Sequence, residues 1–239
     1  MGEEIVLTAA DGDMPAYVAT PEGDARGGIV VVQEAFGVTP HIQSICRRLS
    51  DAGYAAIAPA LFHRVGSPVL DYGDFEAVRP AMTSLTAGGI ETDLDAAFAD
   101  LKHRGFDGTD VGIVGFCMGG TVALFAGTQW RLGAAVTFYG GGVTQGRFGF
   151  PSLVDVAPDL ESPWLGLYGD LDQGISVDEV EALRRVTDAA TVATEIVRYP
   201  EAGHGFNCED RPEAYHEPSA TDAWRRTLAW FATHVRQSG

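Results

Sequence analysis

The residues able to do covalent chemistry in this 239-residue chain sit at short turns that follow apolar runs. The sharpest case is Val111-Gly-Ile-Val-Gly-Phe-Cys117-Met-Gly-Gly-Thr-Val-Ala. It reads as a buried strand, a tight turn with Cys117 at its tip, and then a helix. This is the layout of a G-x-S-x-G nucleophile elbow with cysteine in place of serine. A side chain at such a tip stands clear above the sheet. The helix N-terminus beneath it offers unpaired N–H groups, which favour a thiolate and an oxyanion.

Three further strand ends carry matching groups. Glu34-Ala35-Phe36-Gly37 follows the apolar run 28–33, Gly169-Asp170-Leu171-Asp172 follows 164–168, and Gly203-His204-Gly205-Phe206 follows 194–199. Nucleophile, acid and histidine thus appear in the chain order of α/β hydrolases. A Cys117 thiolate attacks a carbonyl carbon. His204 accepts the thiol proton and returns it to the leaving group. A carboxylate behind the imidazole fixes its tautomer and stabilises imidazolium. The amides of Met118 and of Ala35, the residue after Glu34, hold the developing oxyanion. Asp170 and Asp172 both compete for the acid role, and periodicity does not choose between them.

The elements that must position these residues alternate along the chain. Strands are expected at 4–9, 14–20, 28–33, 55–59, 111–115, 134–139, 164–168 and 194–199. Helices are expected from Thr39-Pro40 to Gly53, weakly over 74–84, and over 90–104, 119 onward, 177–189 and 219–236. Ile90, Leu94, Ala97 and Leu101 share one helical face. The pattern predicts an α/β fold: one domain over 1–239, with a mostly parallel, doubly wound sheet of about eight strands covered by helices on both faces. Sites in such sheets lie beyond the carboxyl ends of the strands, where the four motifs fall.

Composition narrows the function. A formal charge of −17 argues against nucleic acid and anionic membranes as partners, and long-range steering disfavours an anionic substrate. No apolar run has the roughly 18–20 residues of a membrane span. The acidic Met1-Gly-Glu-Glu start does not read as a secretory signal. Three scattered cysteines, Cys46, Cys117 and Cys208, form no disulfide framework and suit a reducing cytoplasm. Cys208 lies four residues from His204, but no further ligand cluster accompanies it, so no metal is expected.

Taken together, the motifs Gln33-Glu34-Ala35-Phe36-Gly37, Gly115-Phe-Cys117-Met-Gly-Gly120, Gly169-Asp-Leu-Asp172 and Ala202-Gly-His204-Gly-Phe206 resemble those of the dienelactone hydrolase (carboxymethylenebutenolidase) family, over nearly the whole chain. The resemblance implies Asp172 as the triad acid. It gives Glu34 the task of contacting the resting thiol and helping to deprotonate it, and it makes Ala35 N–H the second oxyanion donor. It also implies hydrolysis of an activated ester or enol lactone through a thioester acyl-enzyme, with no cofactor. Members that cleave dienelactone hold the substrate carboxylate with arginines. One of these lies four residues after the catalytic histidine, where this chain has Cys208, and the other lies upstream of the elbow, where the 70–90 segment offers Arg79. Arg64 and Arg211 are other candidate anion partners, and Phe36, Tyr139 and Phe206 are candidate substrate contacts.

The expected partner is therefore a small-molecule ester or lactone, met by a monomer or small homo-oligomer. Two other classes compete: a thiol redox or peroxide sensor using Cys117, and a non-catalytic binding module of the same fold. A sensor has no need of an Asp172–His204 pair. The remaining histidines, His41, His63, His103, His216 and His234, read as structural.

Overall fold

The computed structural model describes residues 2–236; Met1 and residues 237–239 of the expected 1–239 unit lie outside the described residues. Eight strands form one sheet: β1 (Gly2–Ala9), β2 (Gly12–Ala19), β3 (Gly28–Val32), β4 (Ala55–Pro59), β5 (Val111–Phe116), β6 (Ala134–Phe138), β7 (Trp164–Gly169) and β8 (Thr194–Tyr199). Their spatial order is β1-β2-β4-β3-β5-β6-β7-β8. β1 and β2 form an antiparallel hairpin, and β2 pairs antiparallel with β4. From β4 to β8 every pairing is parallel.

From β3 the chain moves outward to β4, then returns to place β5 on the other flank of β3. That reversal is a topological switch point, where the loops after the two strands part and leave a crevice. Val32 is in register with Gly115, so the loops carrying Glu34 and Cys117 leave the sheet side by side.

The helices are α1 (Pro40–Asp51), α2 (Phe75–Thr83), α3 (Ala87–His103), α4 (Met118–Gln129), a short α5 (Leu153–Val156), α6 (Val177–Thr187) and α7 (Glu217–His234). Strand residues alternate between the two faces. Val30 and Val32 join the core beneath α3, α4 and α6 through Leu94, Val122 and Leu183. Ile29 and Val31 join the core beneath α1 and α7 through Ile45, Leu49 and Phe231. Helix α4 is buried from Met118 to Thr128, the mark of a helix enclosed on all sides.

Helix starts differ from the periodicity reading where a cap precedes the apolar stripe. Thr86 accepts from Gly89 N–H and starts α3 three residues before the expected 90. Pro218 in the first turn starts α7 at Glu217 rather than 219. Thr39 caps α1 with Pro40 at its head, as expected. The segment between β6 and β7, where no helix is expected, contains α5. No helix among the described residues is long and apolar enough to cross a membrane.

Candidate active site

The turn after β5 holds Cys117 at φ 55°, ψ −117°, a left-handed conformation that a side-chain-bearing residue adopts only when its surroundings impose it. Three glycines make the turn possible by close approach. A Cβ at Gly115 would lie 1.8 Å from the Gly119 carbonyl oxygen. One at Gly119 would lie 2.4 Å from the Val32 oxygen, and one at Gly120 would lie 2.7 Å from the Phe138 oxygen. The Cys117 amide is spent on the Phe138 carbonyl at 3.1 Å. Met118 opens α4, and among the described residues neither its N–H nor that of Ala35 donates to another group. Two backbone donors thus remain open beside a half-buried thiol.

The acid and the histidine come from the loops after β7 and β8, which are bound together by Leu171 N–H donating to the Ala202 carbonyl at 2.9 Å. Gly169 permits the approach, since a Cβ there would lie 2.3 Å from the Ala202 oxygen. Asp172 Oδ2 meets His204 Nδ1 at 2.6 Å, and Asp172 Oδ1 accepts from Gly174 N–H at 2.8 Å. The Asp172 side chain is 2% exposed. Asp170 turns away and holds Arg198 through two bonds of 2.8 and 2.7 Å. Of the two aspartates that periodicity leaves open, only Asp172 reaches the imidazole. Burial by itself disfavours imidazolium at His204. The negative charge of Cys117 and the bond to Asp172 outweigh it and push the ring up to about 10.

Glu34 is 1% exposed. Its Oε1 accepts from Tyr139 Oη at 3.3 Å, and its Oε2 has no partner among the described residues. Burial holds the carboxyl above its ordinary range, while the positive charges of Arg211 and His204 pull the other way. Tyr139 sits at φ 40° just past β6, fully buried, with its ring 5.0 Å from that of His204. Arg211 lies over the faces of Phe36 and Tyr72 at 5.7 and 5.6 Å. Cys208 donates to Tyr72 Oη at 3.5 Å, and burial pushes its thiol up to about 12. Cys46 is raised further by complete burial. All three cysteines are free.

A cavity of about 330 Å³ opens over the elbow. Cys117, Asp172 and His204 line it together with Gly141, Arg147 and the segment 171–175. Glu34 is not among the lining residues; it bonds to Tyr139, whose ring lies 5.0 Å from that of His204. The expected substrate contacts fare differently. Phe206 is enclosed against Tyr139 and Tyr199 at 5.3 and 5.2 Å, so it packs rather than faces the cavity. Phe36 is 4% exposed and stacks edge-on with Tyr72. Tyr139 positions Glu34. Arg79 is exposed on α2 and is not among the lining residues, because that face of the helix points to solvent. Arg64 is consumed by Asp11 and Asp93. Sequence reasoning missed Arg147, Leu171 and Gln173; Leu171 and Gln173 lie in the loop just after β7, a signal that Arg147, well past the end of β6, does not share.

A second groove of about 270 Å³, beside Tyr17, Phe62 and Val69, reaches Gln33 and Gly37 but none of the reactive side chains. Asp11, His63 and Asp93 bring three metal-type ligand atoms within 4.8 Å of one another. The Arg64 guanidinium already lies on both carboxylates, at 2.6 Å from Asp11 and 2.8 Å from Asp93, so the cluster is an ion-pair knot that a cation would have to break.

Comparison with known proteins gives a consistent picture. Residues 14–235 match the Dienelactone hydrolase family. A protein of Salmonella typhimurium provisionally named a carboxymethylenebutenolidase is 43% identical over 235 residues, covering 95% of this chain and 85% of its own length. The carboxymethylenebutenolidase of Rhodococcus opacus is 26% identical over 229 residues, covering 93% and 87%. A crystal structure from Klebsiella pneumoniae, provisionally titled a dienelactone hydrolase, superposes with a TM-score of 0.88 at 40% identity, covering 97% of this chain and 98% of that one.

Proposed function

The chain belongs to the dienelactone hydrolase family, and on that footing we propose that it hydrolyses a small activated ester or lactone through a thioester on Cys117. The observation that carries this reading is the meeting of a thiol with an imidazole backed by a buried carboxylate on one cavity, next to an elbow whose Met118 amide is unspent.

The thiol proton passes to His204, and the resemblance gives Glu34 a share in that first deprotonation. Burial strengthens Glu34 for this task, because a carboxylate deprived of water binds a proton more tightly. The Cys117 thiolate attacks the carbonyl carbon, and the oxygen takes the displaced electron pair as an oxyanion. The Ala35 and Met118 amides stabilise that charge. When the tetrahedral adduct collapses, the C–O bond to the leaving alcohol or enol breaks, and His204 gives that oxygen its proton. Water then attacks the thioester with His204 as base. The acid is released and the thiolate returns. Asp172 keeps Nδ1 protonated throughout, so that Nε2 faces the reaction.

As further parts of this reading, the protein works alone or as a small homo-oligomer in a reducing cytoplasm, and its partner is a small molecule. The test is turnover of a panel of activated esters and lactones by wild type, Cys117→Ala and His204→Ala. Loss of turnover in both variants is expected. Full activity in Cys117→Ala would sink the proposal. Reversible peroxide oxidation of Cys117 with no ester turnover would favour the redox reading.

A further inference from the structure

The cavity over Cys117 does not end at its own wall. A second cavity of about 290 Å³, bounded by Gly142, Gln145, Gly146 and Glu179, shares two lining residues with it, Arg147 and Gly174. Arg147 therefore stands at the junction of the two chambers. Apart from His204, it is the only cationic side chain among the described residues that line the reactive one.

Its guanidinium is placed there by the glycines after β6. A Cβ at Gly141 would lie 3.1 Å from Nη1 and 3.2 Å from Cζ, so the bare backbone is what lets the group lie against the cavity wall. Unlike Arg64, Arg184, Arg198 and Arg226, Arg147 makes no ion pair or side-chain hydrogen bond among the described residues. The carboxylate that feels its charge is Glu179. The Glu179 oxygens are already taken by Thr144 Oγ1 at 2.8 Å and by Ser176 N–H and Oγ, each at 3.0 Å. The guanidinium donors are thus unspent. Glu179 makes the outer chamber unfavourable for an anion and leaves the Cys117 side of the guanidinium favourable. In a chain of net charge −17, whose overall field repels anions, a local cation at the site is what an anionic substrate requires.

We infer that Arg147 is a specificity-determining residue that binds an anionic oxygen group on the substrate, remote from the carbonyl presented to Cys117, while the polar chamber behind it accepts further polar substituents. This rests on the hydrolase reading for the word substrate but not for the binding site itself.

Two measurements test it. The first compares kcat/KM for a 4-nitrophenyl monoester of glutaric acid with that for the uncharged 4-nitrophenyl butyrate. Arg147→Ala lowers the anionic-to-neutral ratio about tenfold, the effect of one charge-assisted hydrogen bond at a solvated site, and the loss is carried in KM. Arg147→Glu lowers it further and Arg147→Lys restores part of it. The second needs no turnover: glutarate slows alkylation of Cys117 by iodoacetamide in wild type and fails to do so in Arg147→Ala. An unchanged ratio, an equal fall for both esters, or glutarate protection that is absent from wild type or survives in Arg147→Ala overturns the inference. Arg147-dependent protection in a protein that turns over no ester would instead sink the hydrolase reading and leave the anion site standing.

Discussion

Replacing Asp172 by asparagine removes one charge and almost no volume. The asparagine can still accept from Gly174 N–H through its carbonyl oxygen, so the loop conformation keeps its 2.8 Å bond. Its NH2 group then faces His204 Nδ1, where a carboxylate oxygen stood at 2.6 Å. Two donors cannot bond, so the neutral ring must carry its proton on Nε2, the atom that has to accept the thiol or water proton. Because the Asp172 side chain is 2% exposed, water cannot replace the lost charge. A hydrogen bond to a charged group is worth about 1.5–3 kcal/mol, or roughly 10- to 150-fold in rate, and the wrong tautomer adds to this. In serine-based triads the same change costs about 10⁴. A fall in kcat of about 10²- to 10⁴-fold is therefore expected, with KM little changed. His204 should also titrate lower, since Asp172 is among the groups that raise it. Steady-state kinetics on an activated ester, with an imidazole NMR titration, read both effects. A kcat within threefold of wild type would refute the reasoning, above all if Asp170→Asn abolished turnover. Asp170→Asn is expected to leave kcat intact and to lose only the partly exposed pair with Arg198, about 1 kcal/mol.

Other outcomes follow from the same structure. Burial raises Glu34, so its carboxyl binds protons more tightly folded than unfolded; its own contribution to folding stability is greatest below the unfolded carboxyl range and is lost as pH rises through the raised folded value. Glu34→Gln should accordingly melt no lower than wild type at pH 8, with any advantage gone at pH 4, while kcat/KM falls at least about tenfold through loss of an auxiliary base. A lower melting temperature at pH 8 would contradict this. Gly119→Ala pushes a methyl to 2.4 Å from the Val32 oxygen and 2.6 Å from the Gln33 oxygen, both backbone. Denaturant titration should show a loss of about 1–3 kcal/mol or more, and kcat should fall as the Met118 and Ala35 amides shift. Arg79→Ala, on the exposed face of α2, should change kcat/KM by less than about twofold for either an anionic or a neutral ester.

Much of this site can be read from the chain because it obeys a topological rule. In a parallel sheet the functional loops follow strand carboxyl ends, and apolar runs locate those ends. Glu34, Cys117, Asp172 and His204 emerge from that rule together. The glycines at 115, 119 and 120 mark the elbow because nothing larger fits within the turn itself, at 115, or between the turn and the ends of β3 and β6, at 119 and 120. The rule does not say which way a side chain turns after the strand. Tyr139 and Phe206 occupy the right places in the chain but fold inward, Tyr139 through its positive φ. Asp170 and Asp172 differ by two residues, and only the Arg198 partner shows which of them is spent elsewhere. Arg147 has no periodicity to announce it; it lies in a glycine-rich loop whose path is set by contacts distant in sequence.

The proposed reaction passes through a covalent bond between substrate and the Cys117 sulfur. Rapid acid quench of wild type mixed with excess activated ester, followed by intact-mass and peptide mapping, measures it directly. An acyl adduct of the substrate's mass is expected on the peptide containing Cys117, sensitive to hydroxylamine and absent from Cys117→Ala. Turnover by wild type with no adduct on Cys117, together with turnover persisting in Cys117→Ala, would contradict it.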